Sequence, residues 1–249
     1  MQYKEYGEQN DDVIILLHGG GLSWWNYRDQ AELLKDRYHI ILPILDGHSR
    51  SDRHFTSIED NASEIIEFID SSFKGHVLLI GGLSLGGQIL LEILSQRKDI
   101  CRYALVESAL VKPSGVTGSL LKPTVSMSHW LIRRKSFALA QFRSLRIRDE
   151  LFTDYYRDTC RIEKDDLIAF LKQSVLYSLK DSIRECEAKV HIYAGAKDNL
   201  SIIKSANMIA DAIPASSLVF LPDLYHGQFS LNHPGEYADT VRRITCRNE

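Results

Sequence analysis

The sequence predicts an α/β domain built on an open, doubly wound and mostly parallel sheet flanked by helices, with a helical insertion. Its 249 residues fit a single large domain that can bury a sizeable core. Short apolar runs alternate with segments whose apolar residues recur at helical spacing, which is the pattern of βαβ crossover units. Residues 112–180 interrupt this alternation.

Six short apolar runs, rich in β-branched residues, are the predicted strands. They show no polar alternation, which is typical of strands buried on both faces of a parallel sheet. Because sites in such sheets lie at the carboxyl ends of the strands, we expect functional residues directly after these runs. The runs are Val13 to Leu17, His39 to Pro43, His76 to Gly82, Tyr103 to Ser108, Val190 to Ala194 and Ser217 to Leu221.

Two segments between the runs have clear helical periodicity. In the first, Ile58 to Phe73, apolar residues recur at helical spacing. Thr56 and Ser57 precede it and predict an N-terminal cap, with an acidic residue three positions further on. The second helical segment is Ile202 to Ile213.

The region 112–180 contains no clear buried strand, and its segments "HWLIRRKSFALAQF" and "DLIAFLKQSVLYSL" predict helices. We therefore expect a core domain of residues 1–111 and 181–249, with a helical cap inserted at 112–180. The insertion has 13 lysines and arginines against 7 aspartates and glutamates. Its net charge of +6 contrasts with −3 for the whole chain, so a basic cap lies on an acidic body.

Composition narrows the class of partner. Charged residues at 25% and a net charge of −3 are ordinary for a soluble protein and argue against a nucleic-acid binder. No apolar run approaches the roughly 18 residues of a membrane span. We expect a cytoplasmic monomer or homodimer that acts on a small molecule without a cofactor or metal. The widely spaced cysteines predict reduced structural thiols: Cys101, Cys160, Cys186 and Cys246.

The stretch "GGLSLGGQ" places Ser84 among four glycines, between a predicted strand and a predicted helix. Gly82, Ser84 and Gly86 form the pattern G-x-S-x-G. On a tight turn from strand to helix, this pattern projects a serine hydroxyl above the sheet, and the glycines avoid collisions with neighbouring elements. The turn also presents the Leu85 N–H to a developing oxyanion. The alternative is a tight packing turn without catalytic function.

An unactivated serine hydroxyl is a weak nucleophile, so the chemistry needs a base and an acid that orients the base. Asp198 follows one predicted strand and His226 follows the next, and both are candidates for these roles. Glu107 ends the preceding strand and is the main rival to Asp198. The alternatives are an aspartate that caps a helix and a histidine that stabilises a loop.

The chain order Ser84, Asp198, His226 resembles that of the α/β-hydrolase superfamily over almost the whole sequence. The segment "YHGQFSLNHPGEYADTVRRI" adds to the resemblance, since the family commonly follows its histidine with a proline and a closing helix. The turn "LPILDGHSRSD" is similar to the family's D-x-P-G-H-G-x-S turn but departs from it at Ile44, Asp46 and Ser49. We interpret this turn as structural.

The resemblance also implies an oxyanion loop at "HGGG", directly after the first long apolar run. It assigns the second oxyanion donor to the N–H of Gly20, with Gly21 as the alternative. Trp24 and Trp25 follow and are candidates for substrate contact, although aromatic residues at such positions more often pack a helix.

These features predict a serine hydrolase that cleaves a small carboxylic ester or thioester through an acyl-enzyme intermediate. The alternative is a cofactor-independent lyase or C–C hydrolase that uses the same triad on an anionic substrate. A third hypothesis, a binding module on this scaffold, is disfavoured by the complete triad. The basic residues that keep the alternative open are Arg133, Arg134, Lys135, Arg143, Arg146 and Arg148.

Overall fold

The computed structural model describes residues 1–246, with the backbone alone at residues 116–120. The described residues form one seven-stranded sheet of order β1-β3-β2-β4-β5-β6-β7. β1 pairs antiparallel with β3, and the other neighbouring strands pair in parallel. The strands are β1 Gln2–Tyr6, β2 Val13–Leu17, β3 His39–Ile44, β4 Val77–Leu83, β5 Cys101–Glu107, β6 Lys189–Gly195 and β7 Ser216–Leu221.

Helices connect the strands and form the insertion between β5 and β6. Short 3₁₀ turns occur at Trp24–Tyr27, His129–Arg133, Asp149–Leu151 and Asp181–Glu185. The α-helices are α1 Arg28–Leu34, α2 Ile58–Phe73, α3 Leu85–Gln96, α4 Gly115–Ser128, α5 Lys135–Ser144, α6 Phe152–Thr159, α7 Lys164–Leu176, α8 Leu200–Ala212, α9 Gln228–Asn232 and α10 Pro234–Thr245.

The core has two layers, one on each face of the sheet. Consecutive side chains of β2 enter different layers, as the pleat of a strand requires: Ile15 belongs to the layer that contains α2, α3 and α8, whereas Ile14 belongs to the layer that contains α1 and α10. The predicted fold class, a mostly parallel α/β sheet with helices on both faces, is therefore confirmed. The carboxyl ends of β2, β4, β5, β6 and β7 meet at one edge of the sheet.

The two outer strands differ from the sequence analysis. β1 was not predicted, because "QYKEY" is mostly polar and lies at the sheet edge with three exposed residues. β7 was predicted to be buried on both faces, and this is wrong: Val219 is 40% exposed and Phe220 is 36% exposed. An edge strand is covered less completely than a central one, so an apolar run does not distinguish the two positions.

The local helix signals have mixed outcomes. Ser57 caps α2 as expected, since its side chain accepts a hydrogen bond from the Asp60 N–H at 3.0 Å. The segment "HWLIRRKSFALAQF" is not one helix: a 3₁₀ turn ends at Arg133, and α5 begins at Lys135. Arg134 between them has extended backbone angles, φ −87° and ψ 114°, which an α-helix cannot contain.

Three buried or partly buried hydrogen bonds attach the insertion to the core. The Trp25 indole N–H donates to Asp158 Oδ2 at 3.0 Å, and the Gln88 amide donates to the Ser174 carbonyl at 2.8 Å. The Arg148 side chain donates to the Leu231 carbonyl at 2.7 Å. The insertion is thus fixed both beside the helix after Ser84 and beside the helix after His226. Within the described part of the chain, no helix is long and apolar enough to cross a membrane.

Candidate active site

Ser84 lies on the turn between β4 and α3, with φ 52° and ψ −109°. A serine seldom adopts positive φ, so the surrounding structure must hold this conformation. The glycines of the motif permit the turn: a Cβ at Gly82 would overlap the Gly86 carbonyl, and a Cβ at Gly86 would overlap the Leu17 carbonyl. The Ser84 N–H donates to the Glu107 carbonyl at 2.8 Å, which ties the turn to the end of β5.

Asp198 and His226 lie in the loops after β6 and β7 and form a hydrogen-bonded pair. His226 Nδ1 is 3.0 Å from Asp198 Oδ2. The Asp198 side chain is 1% exposed and that of His226 is 41% exposed, so the carboxylate is shielded while the imidazole reaches solvent. This arrangement can hold the imidazole in the tautomer whose Nε2 accepts a proton.

The end of β5 links the Asp198–His226 pair to Ser84. The Glu107 carbonyl binds the Ser84 N–H, and the hydroxyl of the next residue, Ser108, donates to Asp198 Oδ2 at 3.0 Å. No hydrogen bond joins the Ser84 hydroxyl to His226 among the residues that the structure describes. Such bonds often tighten only when substrate is bound. Sequence reasoning missed Ser108, although its position after a strand end was a usable signal.

The Glu107 carboxyl is not hydrogen-bonded to the His226 ring in the part of the chain that the structure describes. Its carboxyl is 1% exposed, and Oε1 accepts the Ser230 N–H at 3.2 Å. Burial raises the pKa of Glu107 to about 7, against a smaller lowering by its hydrogen bonds to Ser230 and by the charge of His226. The imidazole Nδ1 is paired with Asp198 instead, so the geometry favours Asp198 as the orienting acid.

Three side chains hold the loop after β2 at its backbone groups. The Gly19 N–H donates to Asn26 Oδ1 at 3.2 Å. His18 Nε2 accepts the Leu45 N–H at 3.1 Å, so its Nδ1–H donates to the Gly19 carbonyl at 2.9 Å. His48 Nε2 accepts the Gly21 N–H at 3.0 Å.

Gly20 is the one residue of this glycine run whose N–H makes no hydrogen bond among the described residues. A Cβ at Gly20 would lie 3.5 Å from Leu85 Cδ2, so this part of the loop approaches the start of α3. The Leu85 N–H, as the first of the helix, has no acceptor within α3. Beside the Ser84 turn, the Gly20 and Leu85 N–H groups are therefore without an acceptor among the described residues.

The two histidines that hold this loop, His18 and His48, are suited to structural rather than acid–base roles. Burial lowers the pKa of His48 to about 4 and holds that of His18 well below its ordinary value. Both rings are neutral near pH 7 and use one nitrogen to accept a backbone N–H. Phe170 of α7 stacks on His48 with ring centroids 4.6 Å apart, which brings the insertion directly against the loop.

The two tryptophans proposed from the sequence to contact substrate, Trp24 and Trp25, contact other residues of the protein. Trp25 is 1% exposed and donates to Asp158, and Trp24 lies beside β1, with Lys4 Nζ 5.7 Å from its ring centroid. These are packing contacts, and substrate contact by either residue stays a prediction.

Among the side chains that the structure describes in the insertion, some basic residues form ion pairs and one instead lies over an aromatic ring. Arg148 and Arg157 bind carboxylates, at 2.7 Å from Asp29 and from Asp154. The Arg146 guanidinium instead lies over the ring of Tyr225, 4.1 Å from its centroid, and Tyr225 directly precedes His226. Of the six basic residues named from the sequence, Arg146 is thus placed beside the loop that carries His226.

One group of side chains has the composition of a metal site. His54, Glu163 and Asp166 place ligand atoms within 4.8 Å of one another. Both Asp166 oxygens already accept hydrogen bonds, from the Phe55 N–H at 2.8 Å and from His54 at 3.1 Å. These contacts explain the arrangement as a link between α7 and the loop after β3.

Comparison with solved structures supports the fold over nearly the whole chain. A thermophilic esterase from Thermogutta terrifontis is 18% identical, with a TM-score of 0.81 over 99% of this chain and 93% of that one. The enol-lactonase from Burkholderia xenovorans LB400 is 14% identical, with a TM-score of 0.82 over 99% and 96%.

A curated relative from Gibberella zeae, described as an AB hydrolase superfamily protein, is 27% identical over 141 residues. That match covers 54% of this chain and 46% of the fungal protein, so the chain spans about half the length of this relative. The model of the alpha/beta hydrolase family matches residues 14–240. This chain therefore belongs to the alpha/beta hydrolase family.

Proposed function

We propose that this protein is a serine hydrolase that cleaves a small carboxylic ester or thioester through an acyl-enzyme intermediate. The observation that carries the proposal is the shielded Asp198–His226 hydrogen bond of 3.0 Å, formed at the same sheet edge as the strained Ser84 turn. A nucleophile, a base and an orienting acid are the groups that acyl transfer requires.

In the proposed mechanism, His226 Nε2 takes the proton of the Ser84 hydroxyl as Oγ attacks the carbonyl carbon. Asp198 accepts the His226 Nδ1–H throughout and stabilises the imidazolium that forms. The imidazolium then gives its proton to the leaving oxygen or sulfur. Water, deprotonated by His226, hydrolyses the Ser84 acyl ester and restores the hydroxyl.

The negative charge of each tetrahedral intermediate is assigned to the N–H groups of Gly20 and Leu85. Gly20 is preferred to Gly21 because the Gly21 N–H already donates to His48 at 3.0 Å. Removal of one such donor typically lowers kcat by about 10² to 10³. Fixed donors are effective here because they need no reorganisation as charge develops.

We assign residues 112–180 the role of a cap that covers the site and selects what enters. Two contacts support this assignment: Phe170 stacks on His48, and Arg146 lies over Tyr225 beside His226. The similar structures include an esterase and an enol-lactonase, which agrees with ester chemistry.

A second candidate function is a cofactor-independent lyase or C–C hydrolase that acts on an anionic substrate with the same triad. The specific observation in its favour is the position of Arg146, whose exposed guanidinium lies beside the His226 loop. A positive charge at this position would attract a substrate carboxylate. Ester hydrolysis remains the simpler proposal because it needs only the triad and the oxyanion donors.

Hydrolysis of short-chain aryl esters by the wild type and by Ser84→Ala tests the proposal. We expect turnover in the wild type and its loss in Ser84→Ala, together with stoichiometric labelling of Ser84 by a fluorophosphonate. Peptide mapping of the label identifies the modified residue. A label on another serine, or ester turnover that survives Ser84→Ala, would contradict the mechanism, whereas labelling of Ser84 without ester turnover would favour the second candidate.

A further inference from the structure

Ser108 directly follows β5 and has an unusual backbone. Its φ is 50°, in the left-handed region that a serine rarely occupies. Its N–H donates to the Tyr193 carbonyl at 2.9 Å, so the backbone is fixed without help from the side chain. Strained residues of this kind cluster at functional sites, where the surrounding structure imposes them.

The side chain that this backbone presents is a buried hydroxyl aimed at Asp198. Ser108 is 2% exposed, and its Oγ donates to Asp198 Oδ2 at 3.0 Å. The same oxygen is 3.0 Å from His226 Nδ1, and the other oxygen, Oδ1, accepts the Asn199 N–H at 2.7 Å. The carboxylate is thus held at both oxygens, as the burial of a polar group requires.

We propose that Ser108 is a positioning residue that fixes the Asp198 carboxylate with Oδ2 directed at His226 Nδ1. This inference rests on the proposed function, in which Asp198 orients His226. The hydroxyl opposes rotation of the carboxylate plane, which would weaken the bond to Nδ1 and allow the wrong imidazole tautomer. Because Ser108 acts through Asp198, its loss should lower kcat and leave KM unchanged.

Two variants separate this role from a structural one. Ser108→Ala and Ser108→Gly both remove the hydroxyl, but glycine accepts the left-handed backbone without strain whereas alanine does not. The inference predicts a similar fall in kcat for both, about tenfold, the scale of one hydrogen bond to a charged group. The thermal unfolding midpoint should nevertheless be higher for Ser108→Gly than for Ser108→Ala.

Ser205→Ala is the matched control. Ser205 is also a buried serine, and its Oγ accepts the Val111 N–H at 3.0 Å, close to the same strand end but without contact to Asp198. It should lose stability and retain kcat. A proton NMR readout follows the pair directly, because the downfield resonance of His226 Nδ1–H should shift in both Ser108 variants and stay unchanged in Ser205→Ala.

Wild-type kcat in both Ser108 variants would overturn the inference, as would a kcat that recovers in Ser108→Gly along with stability. Asp198→Asn, measured in parallel, separates this result from failure of the proposed function. If Asp198→Asn is inactive while both Ser108 variants are fully active, only the role of Ser108 is wrong. If Asp198→Asn is fully active, the proposed triad fails and the role of Ser108 fails with it.

Discussion

The Gly21 N–H donates to His48 Nε2 at 3.0 Å, across 27 positions of sequence. The His48 Nδ1–H donates in turn to the Asp46 carbonyl at 2.9 Å, so this neutral tautomer links the loop after β2 to the loop after β3. Gly21 is thereby committed to a structural bond. The neighbouring Gly20 N–H is left as the donor for the oxyanion in the proposed mechanism.

Replacement of His48 should misalign the oxyanion loop. We expect His48→Ala to lower kcat by about tenfold to a hundredfold, at or below the cost of removing a donor outright. His48→Gln should recover part of the loss, since its Oε1 can accept the Gly21 N–H. Steady-state kinetics with an aryl ester measure both variants, and equal kcat in His48→Ala and the wild type would contradict the assignment.

Asp198 and Glu107 are distinguished by amide replacement. Asp198→Asn should lower kcat by several orders of magnitude, roughly 10⁴, because the amide favours the wrong imidazole tautomer. Glu107→Gln should have a much smaller effect, since its carboxyl binds the Ser230 N–H and not the His226 ring. Circular dichroism of both variants checks that the fold is retained. The opposite ranking of kcat would move the orienting role to Glu107.

Glu107 should also make stability depend on pH. Its pKa is raised from 4.5 to about 7 by burial, so between these pH values the folded protein holds a proton that the unfolded chain releases. The contribution of the Glu107 carboxyl to the free energy of unfolding is therefore fully present below about pH 4.5. About 3 kcal/mol of this contribution is lost as the pH rises through 7.

Urea unfolding at pH 5 and pH 8 measures this dependence. Glu107→Gln cannot ionise and should lose less unfolding free energy than the wild type between the two pH values. Glu67→Gln, at an exposed position of α2, is the control and should behave as the wild type. An unchanged pH dependence in Glu107→Gln would show that Glu107 does not carry this effect.

The charge of the insertion is tested at two arginines. Arg146 lies 4.1 Å from the Tyr225 ring centroid beside His226, whereas Arg143 is an exposed residue near the end of α5. If Arg146 recognises an anionic group, Arg146→Gln should lower kcat/KM for an anionic ester about tenfold and leave a neutral analogue unchanged. Salt should weaken the same preference, because the Debye length is about 10 Å at 0.1 M.

Arg143→Gln is the matched control and should leave kcat/KM unchanged for both the anionic and the neutral ester. Charge reversal at Arg133 and Arg134 should likewise leave both values unchanged. An equal effect of Arg146→Gln on anionic and neutral esters would argue for an esterase without charge recognition. Selective loss of the anionic substrate would favour the second candidate function.

The central sheet and the Ser84 turn follow from local sequence. Central strands are buried on both faces, so β2, β3, β4, β5 and β6 are continuous apolar runs that pattern alone identifies. The glycines around Ser84 are required by the close approach of Gly82 to Gly86 and of Gly86 to Leu17, and the motif therefore marks the turn directly. The edge strands were harder to predict: β1 is too polar to show this pattern, and the apolar run of β7 does not reveal that its side chains are partly exposed.

Only the tertiary structure decided which backbone and side-chain groups already take part in hydrogen bonds within the protein. Gly20 and Gly21 are equivalent in sequence, and they differ because His48 accepts one N–H from a distant turn. Glu107 ends one strand and Asp198 follows the next, and they differ because His226 Nδ1 lies 3.0 Å from Asp198 Oδ2. Hydrogen bonds between residues far apart in the chain depend on packing distances and angles, which no local pattern of residue types encodes.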